Sequence, residues 1–299
     1  MPASRAIRAG HSLFTCEYYR GSVRYNRSVV VIALWLLLLT TPWVARAQDE
    51  ASAEPVHRFG YRVVSIDDVG SFPGEIERTA EAIVTVWQRW IGAARLRPVR
   101  IELVLLGDAE AFDAMKQSLA PELPPVSGFY ATASHQAVVR YDPTMPDLNR
   151  YTAIHEVAHL VTASQVGPVD RWLSEGLSEY FETLNEHDQG ITVTPNLRYE
   201  AELQPQSLRE FLALSDASWR SQTSAEHYAT AWSLVYFLMD SLRGRVALRE
   251  VLVRLSSPLH NQLSASELLD LSYPGGLDAL EPVWHEWLVA GEFRDQVLP

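Results

Sequence analysis

The sequence predicts an α+β fold: a small mixed sheet with helices in the N-terminal half, a predominantly helical C-terminal half, and a candidate site between them. Three observations predict it. Strand and helix patterns alternate as far as residue 147. From Leu148 onward nearly every apolar residue recurs at helical spacing. The chain is 299 residues long and 47% hydrophobic, enough to build a sizeable core.

Residues 48–59 are polar, contain Pro55 and read as a loose lead-in. Residues 61–66 have the β-branched enrichment of a strand. Residues 75–91 place Ile76, Ala80, Ile83, Val84, Trp87 and Ile91 at helical spacing, and Gly92 ends the run. Residues 99–106 are almost continuously apolar, as in a strand buried on both faces. Helical periodicity returns over 109–119, until Pro121, Pro124 and Pro125 break it. This order predicts a small sheet with helices on one side. Residues 128–132 and 137–141 flank the polar turn Ser134-His135-Gln136 and read as a hairpin at the sheet edge, completing an α/β subdomain over 60–147.

The helical subdomain, 148–299, begins with a helix over 150–165 that stops at Gly167-Pro168. A second helix spans 171–183 with Asp170 available as its N-cap. Residues 186–205 read as an irregular connection containing a short strand at Ile191-Thr192-Val193. Helices follow over 208–214, 225–242, 246–255, 265–271 and 279–290, with no internal repeat.

The first 47 residues read as a secretory signal. An uninterrupted apolar run, 29–39, follows Arg20, Arg24 and Arg27 and precedes Pro42 and Ala45-Arg46-Ala47, with cleavage expected after Ala47. The run is shorter than the roughly 20 residues of a membrane span. An uncleaved anchor through 29–44 is the alternative, and the long stretch before Arg27 leaves a translation start downstream of Met1 open. Removing this segment takes away six arginines and Glu17, leaving 19 basic and 36 acidic residues and a net charge of −17. Such a surface repels phosphate backbones, so no nucleic-acid partner is expected. Cys16, the single cysteine, lies in the segment removed. An exported product, periplasmic or extracellular, would then have no disulfide, and any metal must rest on His, Asp or Glu.

The chemistry concentrates in His155-Glu156-Val157-Ala158-His159. Residues four apart on a helix share a face, so His155 and His159 can aim their rings at one metal ion. Glu156 is rotated by about 100° from His155 and can reach a water on the ion without ligating it. A zinc hydrolase needs this arrangement: imidazoles for one zinc ion, an open position for water, and a carboxylate as general base. A third ligand is then required, and Glu175 in Trp172-Leu173-Ser174-Glu175-Gly176-Leu177-Ser178-Glu179-Tyr180-Phe181-Glu182 is the leading candidate, because Gly167-Pro168 forces that helix to fold back on the first. Gly176 would let the two helices approach closely. Glu179, one turn beyond Glu175, could accept a hydrogen bond from the far nitrogen of a ligand histidine.

The two motifs together resemble the gluzincin metallopeptidases, and in particular the bacterial peptidase MA-like domains. The likeness is close over 151–182 and weaker to about 238. It implies a thermolysin-like layout and zinc-dependent hydrolysis of a peptide or protein substrate. It assigns the third zinc ligand to Glu175, by likeness to a Trp-Leu-Asn-Glu-Gly segment, and the histidine partner to Glu179. It further implies an edge strand that binds extended substrate, a role that Gly128, Phe129 and Tyr130 could fill. Tyr228, in a Tyr-x-x-Ala-x-x-Leu setting before an apolar helix, resembles the tyrosine that stabilises the oxyanion; it could equally be a core aromatic, and His227 is the less favoured substitute. The interval from His159 to Glu175 is shorter than in the gluzincin aminopeptidases, and their Gly-x-Met-Glu-Asn strand is absent, which favours an endopeptidase or an unusual specificity. A catalytically silent binding or scaffolding protein and a hydrolase of non-peptide amides share the same residues. His57, His135, His187, His260 and His285 have no partner at ligand spacing and are expected to be structural or exposed, and Trp219, Trp232, Trp284 and Trp287 to pack between helices.

Overall fold

A computed structural model describes residues 57–188, 190–221, 224–257 and 263–298. The expected signal segment, most of the lead-in and His260 lie outside the described residues. The fold is α+β, as the sequence predicts. Its first sheet has the order β1 (His57–Val64), β2 (Val99–Leu106), β4 (Gln136–Arg140), β3 (Gly128–Ala131). β1, β2 and β4 run parallel, and β3 returns antiparallel beside β4 as an edge strand. The end of the expected lead-in, residues 57–59, belongs to β1.

Helices cover both faces of this sheet, not one. Alternation along β2 explains why: Ile101, Leu103 and Leu105 join the core beneath α1 (Phe72–Ile91) and α3 (Pro146–Val166), whereas Val104 and Leu106 face the other way. There they pack with Phe112 of α2 (Ala109–Leu119), Phe129 and Val138. A strand apolar on both faces needs a layer on each, and α2 supplies the second.

Helix α3 is buried on nearly every side, from Asn149 to Val166, and is the central rod of the molecule. Side chains fix it at several points. Asn149 exchanges two hydrogen bonds with the backbone of Asp142, Arg150 donates to Glu75 and to the carbonyls of Glu182 and Leu184, and Gln165 brackets the backbone of Arg97. One apolar cluster runs from α1 and β2 through α3 to the last helices, so both halves of the chain share a core.

The chain folds back through Gly167 into α4 (Arg171–Phe181). Asp170 occupies the N-cap position, but its carboxylate accepts from the amide and hydroxyl of Ser266 instead of capping α4. The connection over 186–205 does hold the short strand expected at 191–193, and that strand has a partner on each side. β5 (Leu184–His187), β6 (Gly190–Val193) and the C-terminal β7 (Gln296–Leu298) form a second, antiparallel sheet, followed after β6 by a 3-10 turn at Leu197–Tyr199. A strand three residues long carries too little pattern to be read alone, and β7 exists because β6 offers it an edge.

Helices α5 (Leu208–Leu212), α6 (Asp216–Ser221), α7 (Ser224–Asp240), α8 (Leu242–Leu255), α9 (Ala265–Ser272) and α10 (Gly276–Ala290) complete the chain. The single helix expected over 225–242 ends at Asp240, where the Ser241 hydroxyl caps α8 by accepting from the Gly244 amide. Gly176 does permit a close approach, but to α7 and not to α3: a Cβ there would stand 2.6 Å from the Ala231 carbonyl oxygen. That contact holds α4 between α3 and α7, and so sets where Glu175 lies.

Candidate metal centre

His155 and His159 project from one face of α3 with ring centroids 4.7 Å apart, and their Nε2 atoms meet at 3.0 Å. Oε2 of Glu175, reaching across from α4, lies 3.4 Å from the first and 3.3 Å from the second. These spacings are those of three ligands on one small divalent cation: donors at ~2.0–2.1 Å in a tetrahedron are about 3.3 Å apart. All three side chains are buried. Neither carboxylate oxygen of Glu175 accepts a hydrogen bond, although both are shut off from solvent. Arg171 stands on the Oε1 side at 3.4 Å without a hydrogen bond to that oxygen, which leaves Oε2, turned to the two imidazoles, as the oxygen a metal ion would satisfy.

The protonation pattern points the same way. Nδ1 of His155 lies 2.7 Å from Oε1 of Glu182, whose carboxyl, despite burial, is held below the usual range by Arg198 and His155. A carboxylate can only accept, so His155 carries its proton on Nδ1 and presents a lone pair at Nε2. Nδ1 of His159 is 2.9 Å from the Ser174 hydroxyl, and burial holds that imidazole in its neutral form. Burial alone would raise the Glu175 pKa, but His159, His155 and Arg171 bring it down to about 2. The site therefore combines two imidazoles, that of His159 favoured in its neutral form by burial, with an ionised carboxylate, a suitable donor set for a metal ion.

The hydrogen bond expected at Glu179 is made by Glu182. Glu179 stands further off, 3.7 Å from Nδ1 of His155, and is engaged elsewhere. The hydroxyl of Tyr199 donates to its Oε1 at 2.8 Å, and Nη2 of Arg198 lies 2.5 Å from its Oε2. Arg198 also reaches Oε2 of Glu182 at 2.7 Å, and Asn196 donates to the same oxygen at 3.3 Å. His155, Glu179 and Glu182 are close enough to form a second metal-binding group. The guanidinium already supplies the cation there, which leaves the first group as the candidate centre. Burial and the neighbouring Glu182 raise the Glu179 pKa to about 7 against the pull of Arg198.

Glu156 is buried and faces the edge strand: its Cγ lies 3.1 Å from where a Cβ on Gly128 would stand. Such a Cβ would also meet Thr152 Cγ2 at 2.5 Å, so glycine lets β3 lie against α3 beside Glu156. Gly128 and Tyr130 are on the α3 side of the sheet, and the Tyr130 hydroxyl is bonded to His135. Phe129 points to the opposite face, where it packs against Phe112 at 5.7 Å, so only its backbone can serve the site.

Tyr228 is buried, with its oxygen 3.4 Å from Nη2 of Arg171. Nε of Arg171 is in turn 3.4 Å from Oε1 of Glu175, so the phenol joins the centre through that arginine. The neighbouring His227 packs against Trp219 at 5.1 Å. Of the remaining histidines, His285 bonds the Gln206 carbonyl, His187 bonds Thr192, and His57 pairs with Glu81. Residues to which the sequence assigned no role are Glu182, Ser174, Arg198 and Arg171. Glu182 had a signal, since it lies seven residues beyond Glu175 and so on the same helical face. Arg171 had one too, four residues before Glu175 on the same helix, whereas Ser174 and Arg198 had none.

Residues 150–257 match the family described as "Protein of unknown function (DUF1570)". The matched span contains α3 from residue 150 onward, α4 and α7, and with them all three candidate ligands. No curated protein and no solved structure matches the chain.

Proposed function

We propose that the protein is an exported zinc metallopeptidase of gluzincin type. The observation that carries this reading is the convergence of His155, His159 and Glu175 within 3.4 Å of one another, with Glu156 between the two histidines and against an edge strand. The donor set, two imidazoles and one carboxylate without thiolates, is that of catalytic zinc sites. Bound there, zinc would polarise the scissile carbonyl and acidify a water molecule.

The chain's own groups do the rest. Glu156 takes the proton from the attacking water and returns it to the leaving amine. Glu182 fixes the tautomer and orientation of His155. β3, the edge strand beside Glu156, offers backbone groups to an extended peptide, and Tyr228 donates to the oxygen that gains negative charge. The sequence of the first 47 residues supports export, and the acidic surface argues against a nucleic-acid partner.

Incubation of residues 48–299 with a diverse peptide library, in zinc, after chelation and after zinc is restored, tests this reading. The expectation is cleavage that is lost on chelation and returns with zinc. Zinc binding without cleavage of any peptide would instead favour a silent binding protein.

A further inference from the structure

Resting on the peptidase reading, we propose that Arg171 is a positioning residue that aims the Tyr228 phenol at the substrate carbonyl by fixing it to the third ligand. Three contacts meet on one guanidinium. Nε faces Oε1 of Glu175 at 3.4 Å, Nη2 faces the Tyr228 oxygen at 3.4 Å, and the guanidinium carbon lies 5.1 Å from the centroid of the Trp219 ring. Trp219 also meets the Tyr228 ring edge-on, with centroids 5.8 Å apart and planes at 86°. Arg171 is one turn before Glu175 on α4, whereas Tyr228 belongs to α7, so the arginine ties together two helices that carry different parts of the site.

Direction follows from donor chemistry. A guanidinium has no acceptor, so the phenol oxygen must accept from Nη2. The phenol's own hydrogen is thereby turned away from Arg171. The ion pair of Arg171 with Glu175 and the arginine's place over the Trp219 ring set the origin of the phenol relative to Glu175, and hence to any ion that Glu175 holds. The side chain of Arg171 is 7% exposed and that of Glu175 fully buried, so bulk water does not loosen the link. Lysine has the charge but not the fork, and could not hold both partners.

The test combines Arg171→Met, Arg171→Lys, Tyr228→Phe and the Arg171→Met/Tyr228→Phe double variant, each at saturating zinc with metal content measured. Both Arg171 variants should lower kcat by about 10- to 100-fold with KM within about 3-fold of wild type. The double variant should be no worse than Tyr228→Phe by more than about 3-fold, because the arginine acts through the phenol. A second readout needs no turnover: a phosphinic peptide, whose tetrahedral oxygen mimics the charged carbonyl oxygen, should lose at least about 10-fold more affinity for Arg171→Met than an uncleaved substrate-like peptide loses. Losses that multiply in the double variant, or equal losses for the two peptides, would overturn the proposal. If the wild type binds the phosphinic peptide no better than the plain one and cleaves nothing, the peptidase reading itself fails, and the role of Arg171 with it.

Discussion

His155 donates its Nδ1 proton to Glu182 at 2.7 Å, across from α3 to the end of α4. The bond orients the ring, fixes its tautomer and makes Nε2 the better donor. Replacing Glu182 by Gln should weaken zinc binding by about 10- to 100-fold in a chelator competition titration. Glu179→Gln should cost less, since Glu179 lies at 3.7 Å from the same nitrogen. Equal losses in the two variants would show that the two carboxylates are interchangeable.

Zinc should also stabilise the fold. At a concentration 100 times Kd, a ligand of the native state alone adds about 2.7 kcal/mol. For a domain of this size that is a rise in Tm of about 5–10 °C. The measurement is a thermal melt of the metal-free protein with and without zinc. His159→Ala should abolish the shift, because it removes one of the three donors.

Glu179 gives a pH signature in the metal-free state. Its folded pKa, about 7, is raised above the ordinary 4.5, so the folded state holds the proton more tightly. The stability this confers is fully present below pH 4.5 and is lost as pH rises through 7. Glu179→Gln mimics the protonated form. In urea unfolding it should therefore be near neutral at pH 4.5, and by pH 8 gain on wild type by on the order of 1–3 kcal/mol. A difference between variant and wild type that does not change with pH would contradict the assignment.

Much of the site was legible because helical periodicity speaks directly about faces. His155 with His159, and Glu175 with Glu179, are pairs at i, i+4, and the short Gly167-Pro168 link brings the two helices together. Spacing could not decide between Glu179 and Glu182, which share a face. What separates them is Tyr199, in a 3-10 turn with no periodic pattern, whose hydroxyl donates to Glu179, while Arg198 pairs with both carboxylates. The second sheet was hidden for a related reason: β5 and β6 are four residues each, and β7 comes from the far end of the chain. The layer on the second face of the first sheet could have been inferred, since β2 is apolar on both sides.

Gly128 tests the edge strand. An alanine Cβ would stand 2.5 Å from Thr152 Cγ2 and 3.0 Å from the Val138 carbonyl oxygen, which β3 can relieve only by moving off α3. Gly128→Ala should destabilise by about 1–3 kcal/mol in urea unfolding and raise KM for extended peptides more than it changes zinc affinity. Unchanged stability would mean that the strand does not lie against Glu156.

The most direct test of the central claim is the peptide cleavage rate of Glu156→Gln beside that of wild type, with zinc counted in both proteins. One zinc per chain is expected in each, with a loss of cleavage by at least about 100-fold in the variant, since only the proton acceptor has gone. Cleavage that persists in a zinc-loaded Glu156→Gln protein would contradict that claim.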